Sequence, residues 1–137
     1  MKPIDITFID ALRGAARAAS LQAYCPHSRF PVGAAVLTED DRIYAGCNVE
    51  NASFGLTICA ERNAIFQAIA AGKRTIRAVV VFTPTQSPTA PCGACRQVIN
   101  EFGPLAVIRS YCETDSSLDG TTESLLPAAF GPHNLSS

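Results

Sequence analysis

No run of basic residues, no uninterrupted apolar stretch of membrane-spanning length, no internal repeat and no low-complexity segment occurs in these 137 residues. Each absence removes a class of function. With 11 Lys+Arg against 12 Asp+Glu the formal net charge is -1. Without a basic patch to neutralise phosphates, no nucleic-acid partner is expected. The N-terminus, Met1-Lys2-Pro3-Ile4-Asp5, carries an acid early and leads into no apolar core of signal-peptide or transmembrane length. Neither export nor a membrane partner is therefore expected. Charge is scarce, at 17% of residues against 47% hydrophobic, which leaves a small chain with much apolar surface to hide. Burial between subunits is one way to hide it, so a homo-oligomer is expected. The length suits one domain over 1–137, with 131–137 as a flexible tail.

What the chain does have is six cysteines. In a secreted scaffold they would suggest three disulfides. In a chain with no export signal they point to the reducing cytoplasm, where Cys-x-x-Cys serves metal binding or redox chemistry.

Apolar positions Phe8, Leu12, Ala15, Ala16, Ala19 and Ala23 recur at three- and four-residue intervals and predict an amphipathic helix from Thr7 to about Ala23, capped by Asp5 or Thr7. Tyr24 to Pro31, with two prolines, is a loop. Val32–Leu37 and Arg42–Gly46, joined by a polar turn, read as a hairpin whose small residues Gly33, Ala34 and Ala35 admit a close helix. Asn48 to Thr57 is polar and irregular. A helix from Cys59 to Ala71 stopped by Gly72, a strand Arg77–Phe82, a helix Gly93–Phe102 and a strand Leu105–Arg109 follow. Residues 115–122 read as loop or a weak fifth strand, and 123–127 as a helical turn. This alternation predicts an α/β fold, a three-layer α/β/α sandwich around a mixed sheet of about five strands with a right-handed crossover.

Chemistry concentrates in Cys59-Ala60-Glu61-Arg62 and Pro91-Cys92-Gly93-Ala94-Cys95. Cys59 stands at the start of one predicted helix, and Cys92 and Cys95 at the start of another, so both helix N-termini can converge on one zinc ion. Three thiolates overcompensate a divalent charge, and two helix dipoles plus Arg62 can draw that excess off the sulfurs. A fourth position remains for water, with Glu61 beside it as a proton carrier rather than a ligand. A closed structural zinc knot would need a fourth Cys or His at short spacing, and neither motif offers one. A redox Cys-x-x-Cys would leave Cys59-x-Glu61 unexplained. His27, alone in its loop, is not assigned to the metal. The sequence assigns no role to Cys25, Cys47 and Cys112; buried and inert is the usual fate of such thiols.

In this order, Phe30-Pro31-Val32-Gly33-Ala34-Ala35, Asn48-Val49-Glu50-Asn51-Ala52-Ser53, Cys59-Ala60-Glu61-Arg62, Pro91-Cys92-Gly93-Ala94-Cys95-Arg96-Gln97, Glu101-Phe102 and Leu125-Leu126-Pro127 make the chain resemble the small homotetrameric cytidine deaminases that act on free nucleosides. The resemblance spans Tyr24 to Phe130. It implies that Cys59, Cys92 and Cys95 bind one Zn²⁺ and that Glu61 shuttles protons. Asn48 and Glu50 would bond the ribose 3′-hydroxyl, and Phe30 would line the base pocket. Backbone groups at Ala60 and Cys92 would read the pyrimidine edge, Arg62 and Gln97 would act on the thiolates, and Phe130 would help close a site shared between subunits. The implied function is hydrolytic deamination of cytidine and 2′-deoxycytidine in pyrimidine salvage. Deamination of a modified cytosine nucleoside, polynucleotide editing and a non-catalytic zinc scaffold are the alternatives. Two positions depart from the family's usual pattern, Phe54 and His27, each where Tyr is common, and they bear on substrate range.

Overall fold

The computed structural model describes residues 3–136. Its centre is a sheet of five strands, β1 (Gly33–Thr38), β2 (Ile43–Cys47), β3 (Ile76–Phe82), β4 (Val107–Tyr111) and β5 (Ser117–Thr121), in the order β2-β1-β3-β4-β5. β1 pairs antiparallel with β2 and β3, β3 runs parallel to β4, and β5 closes the far edge antiparallel to β4. Helix α1 (Ile6–Ser20) covers one face; α2 (Ala60–Ala70) and α3 (Gly93–Phe102) cover the other, with the short α4 (Thr122–Leu125) following β5. This is the predicted three-layer α/β/α arrangement with its mixed sheet.

Strand alternation produces the two faces. Ala35, Leu37, Ala78, Val80 and Phe82 point to α1 and pack on its Leu12 and Ala16. Their neighbours Ala34, Val36, Val79 and Val81 point the other way, onto Ala64, Ile65 and Ala68 of α2 and Ile99 of α3. β1 and β3 are buried throughout because both faces are covered, so they read in sequence as continuous apolar runs.

Two glycines set how closely the layers approach. A Cβ on Gly33 would stand 1.8 Å from the Ala16 carbonyl oxygen of α1. One on Gly46, facing the opposite layer, would stand 2.6 Å from the Ala64 nitrogen of α2. The helix carrying Cys59 and Glu61 therefore rests almost backbone to backbone on β2.

Several boundaries differ from expectation. α1 ends at Ser20 rather than near Ala23, since Leu21 caps it and is 81% exposed, beyond the reach of the sheet; its N-cap is Asp5, whose carboxylate accepts from Thr7 N. β4 starts at Val107 because exposed Leu105 belongs to the turn after Pro104, and pairing with β3 aligns Val107 opposite Ala78. Residues 117–121 form a full strand, so the fifth strand is real. The tail contains a 3-10 turn at Pro132–Asn134, with Gly131 N bonded to Asn134 Oδ1 at 2.9 Å; Ser137 lies outside the described residues. α2 ends as predicted, with Gly72 N on the Ile69 carbonyl and Lys73 N on that of Ala68.

Candidate active site

Cys59 and Cys92 are the N-caps of α2 and α3, and neither makes a side-chain capping bond. The first-turn N–H groups of both helices are thus left facing the same place, the partial positive charge of each aimed at the thiols. Cys95, one turn into α3, completes the cluster. Cys59 Sγ lies 3.9 Å from Cys92 Sγ, Cys92 Sγ lies 3.5 Å from Cys95 Sγ, and all three sulfurs fall within 4.8 Å of one another. Tetrahedral Zn–S bonds of about 2.3 Å require sulfurs about 3.8 Å apart. The three residues therefore fit one zinc ion, and three protein donors leave a coordination position open, as in catalytic rather than structural sites.

Cys59 is held well below the usual thiol range. Hydrogen bonding from the Cys95 thiol, and then from Arg62, whose Nη2 lies 3.4 Å from Cys59 Sγ, draws its pKa down to about 5. Cys95 is raised, because it shares its proton with Cys59 and is buried. Arg62 Nε is itself buried without a hydrogen-bond partner.

Glu61 follows in the first turn of α2 and is only 5% exposed. Burial pushes its carboxyl up to about 7, with the Cys59 thiolate adding to the rise and its own backbone N–H and Arg62 opposing it. A buried carboxyl that titrates near neutrality beside a thiol cluster has the properties of a general acid and base.

Cys59, Cys92 and Glu61 line one cavity of about 380 Å³, together with Phe30, Asn48, Glu50, Ala60, Ser28, Val32, Thr57, Thr89 and Ala90. Two larger clefts, of about 410 and 580 Å³, contain none of the three clustered thiols and not Glu61, so the chemistry and not the volume marks the site. Asn48 Oδ1 accepts from Val32 N and its Nδ2 donates to the Phe30 carbonyl, each at 2.9 Å. Glu50 accepts from His27 N at 2.9 Å, from Ser28 N at 3.1 Å and from the Ser28 hydroxyl, which together hold its carboxyl below the usual carboxylate range.

The structure thus brings together Cys59, Cys92, Cys95, Glu61, Ala60, Arg62, Phe30, Asn48 and Glu50. It places two others apart. Gln97 turns its amide to the Phe130 carbonyl at 2.8 Å, not to a thiolate, because α3 carries it beyond the first turn and toward the C-terminal segment. Phe130 is 59% exposed and does not line this cavity. His27 and Phe54 meet edge to face, 5.7 Å between centroids, over an adjoining concavity that shares Ser28, Glu50 and Thr57. Sequence reading missed Ser28, Thr57 and Thr89; a serine two residues before Phe30 was the available signal for the first, as the side-chain cap of a turn. All six cysteines are unbridged. Cys112 is buried, with Sγ 3.2 Å from Thr114 Oγ1, and Cys25 and Cys47 are half-buried. No helix among the described residues is long and apolar enough to cross a membrane.

Known proteins share this arrangement. A cytidine deaminase of Sporosarcina psychrophila is 45% identical over 130 residues, covering 93% of this chain and 95% of that protein. Another, from Halalkalibacterium halodurans, is 46% identical over 118 residues, covering 82% and 86%. The crystal structure of cytidine deaminase from Burkholderia pseudomallei superposes with a TM-score of 0.84 at 48% identity, covering 88% of this chain and 98% of that one. That from Mycobacterium tuberculosis superposes with a TM-score of 0.80 at 39% identity, covering 94% and 99%. Residues 8–110, a span that holds Glu61 and all three clustered cysteines, match the cytidine and deoxycytidylate deaminase zinc-binding region, and it is to that family of zinc deaminases that the chain belongs.

Proposed function

We propose that the protein hydrolyses the 4-amino group of cytidine and 2′-deoxycytidine, releasing ammonia and leaving uridine or 2′-deoxyuridine. The observation that carries this reading is a single cavity lined by two of the clustered thiols, a buried Glu61 and the polar pair Asn48 and Glu50. Cys59, Cys92 and Cys95 would hold the zinc, which when bound would supply a Lewis-acidic charge that makes water a stronger acid near neutral pH. The proton transfers fall to Glu61. It accepts a proton from the attacking water and delivers it to N3 as C4 is attacked, then takes the proton of the C4 hydroxyl so formed and passes it to the departing amine as the C–N bond breaks. A carboxyl drawn up to about 7 is matched to both taking and giving a proton near neutrality. Arg62 and the two helix N-termini offset the charge of three sulfurs, which would otherwise blunt the metal's acidity.

Substrate placement follows from unused hydrogen-bonding capacity. Asn48 has one amide N–H left after Phe30, and Glu50 has acceptor capacity left after His27 and Ser28. A hydroxyl is both donor and acceptor, so the pair suits one free sugar hydroxyl, read as the 3′. A phosphate on that oxygen would set an anion against Glu50, which favours a free nucleoside over a polynucleotide. Phe30 walls the base, and the backbone at Ala60 and Cys92 reads its edge. Phe130 reaches the site of a neighbouring subunit in a homotetramer working in cytoplasmic pyrimidine salvage.

An ammonia-release assay over cytosine nucleosides, nucleotides and oligonucleotides tests the reading. Cytidine and deoxycytidine are the expected substrates, and Glu61→Gln should lose about 10³-fold or more in kcat while retaining one zinc per chain. Unchanged turnover in that variant would overturn the mechanism.

A further inference from the structure

We propose that Ser28 is a positioning residue that holds Glu50 ready for the sugar and ties it to the Phe30 wall of the base pocket. The proposal rests on Glu50 being a sugar contact. Ser28 lies in the loop before β1, is exposed, and lines the cavity. Its Oγ accepts from Phe30 N at 3.0 Å. Because that backbone group can only donate, the single hydroxyl proton of Ser28 is free to go to Glu50 Oε2, with which it makes its second bond. The direction of the relay is therefore fixed, from Phe30 N–H through Ser28 to Glu50.

Counting acceptor positions shows the consequence. A carboxylate offers about four lone-pair sites. His27 N and Ser28 N occupy both sites of Oε1, at 2.9 and 3.1 Å, and the Ser28 hydroxyl occupies one of Oε2. One site remains, enough for one hydroxyl. The turn that allows this is closed by Arg29 N on the Cys25 carbonyl at 2.8 Å and requires Arg29 at φ 56, a left-handed conformation uncommon for a non-glycine residue. Phe30 is then gripped from both sides, its N–H by Ser28 and its carbonyl by Asn48 Nδ2. Base wall and sugar pair thereby belong to one hydrogen-bonded unit.

The test compares kcat and KM for cytidine and 3′-deoxycytidine in the wild type, Ser28→Ala and Ser28→Thr, each checked for an unchanged melting temperature. Loss of a bond to a charged group should raise KM for cytidine about tenfold in Ser28→Ala with kcat little altered. The penalty for lacking the 3′-hydroxyl should shrink by a similar factor, and Ser28→Thr should restore both. A Ser28→Ala enzyme with the full wild-type 3′-deoxy penalty would overturn the proposal and leave the sugar contact standing. A wild type that shows no such penalty would overturn the sugar reading, and the proposal with it.

Discussion

Cys59 and Cys95 share one cluster yet shift in opposite directions: hydrogen bonding with Cys95 and from Arg62 lowers Cys59, while the bond to Cys59 and burial raise Cys95. Arg62 is the cationic partner of that thiolate. Arg62→Gln should raise the Cys59 pKa, seen as a shift in thiolate absorbance in metal-stripped protein, and should speed zinc loss to a chelator; identical release would show the guanidinium to be a bystander. Glu61 supplies a second prediction. Its carboxyl titrates near 7 in the folded protein against an ordinary 4.5. Below 4.5 both states hold the proton and nothing is lost. As pH rises to 7 the unfolded chain ionises first, so stability is withdrawn, by about 3 kcal/mol in all. Metal-stripped Glu61→Gln escapes this, so its melting temperature should gain on that of the metal-stripped wild type between pH 4.5 and 7, and a pH-independent difference would refute the burial argument. Both residues were legible in sequence because the motif is contiguous and sits at a helix start. The lone-pair arithmetic of Glu50 was not, since it depends on a loop 22 residues away returning to meet it.

At the scale of elements, the site exists where two helices begin over adjacent strands. α2 keeps its place through Gly46, through Asn63 Nδ2 on the Cys47 carbonyl at 2.8 Å and through Gln67 Nε2 on that of Ala45 at 2.8 Å. Gly46→Ala would put a methyl 2.6 Å from the Ala64 nitrogen and 2.9 Å from the Asn63 carbonyl carbon, backbone that can yield only by moving the helix. We expect a loss of about 1–3 kcal/mol in thermal or denaturant unfolding, accompanied by faster zinc release because Cys59 and Glu61 ride on the same helix. Loss of stability with unaltered zinc release would show that the site does not depend on this seating. The buried strands announced themselves as apolar runs. β5, exposed along nearly all its length, carries no such pattern and is held by backbone pairing to β4, which composition does not encode.

For the whole molecule, exposed apolar side chains remain at Ile6, Leu21, Tyr24, Phe54, Leu56, Phe66 and Phe130, consistent with the low charge content that suggested subunit burial. Sedimentation should give a tetramer, and specific activity should fall on dilution below its dissociation range; a fully active monomer would overturn the shared-site reading. Phe130→Ala should then impair turnover although its ring lies outside its own chain's cavity.

By itself the sequence picked out the three cysteines and the glutamate proposed to act beside them, the order of helices and strands and the family resemblance, because each is written in short contiguous motifs or in local periodicity. Only the tertiary structure decided how Ser28, Phe30, Asn48 and Glu50 share their hydrogen bonds, where Gln97 and Phe130 point, and that residues 117–121 pair as a strand. Those outcomes depend on which donors and acceptors remain after distant segments have met. No local stretch of chain contains that information.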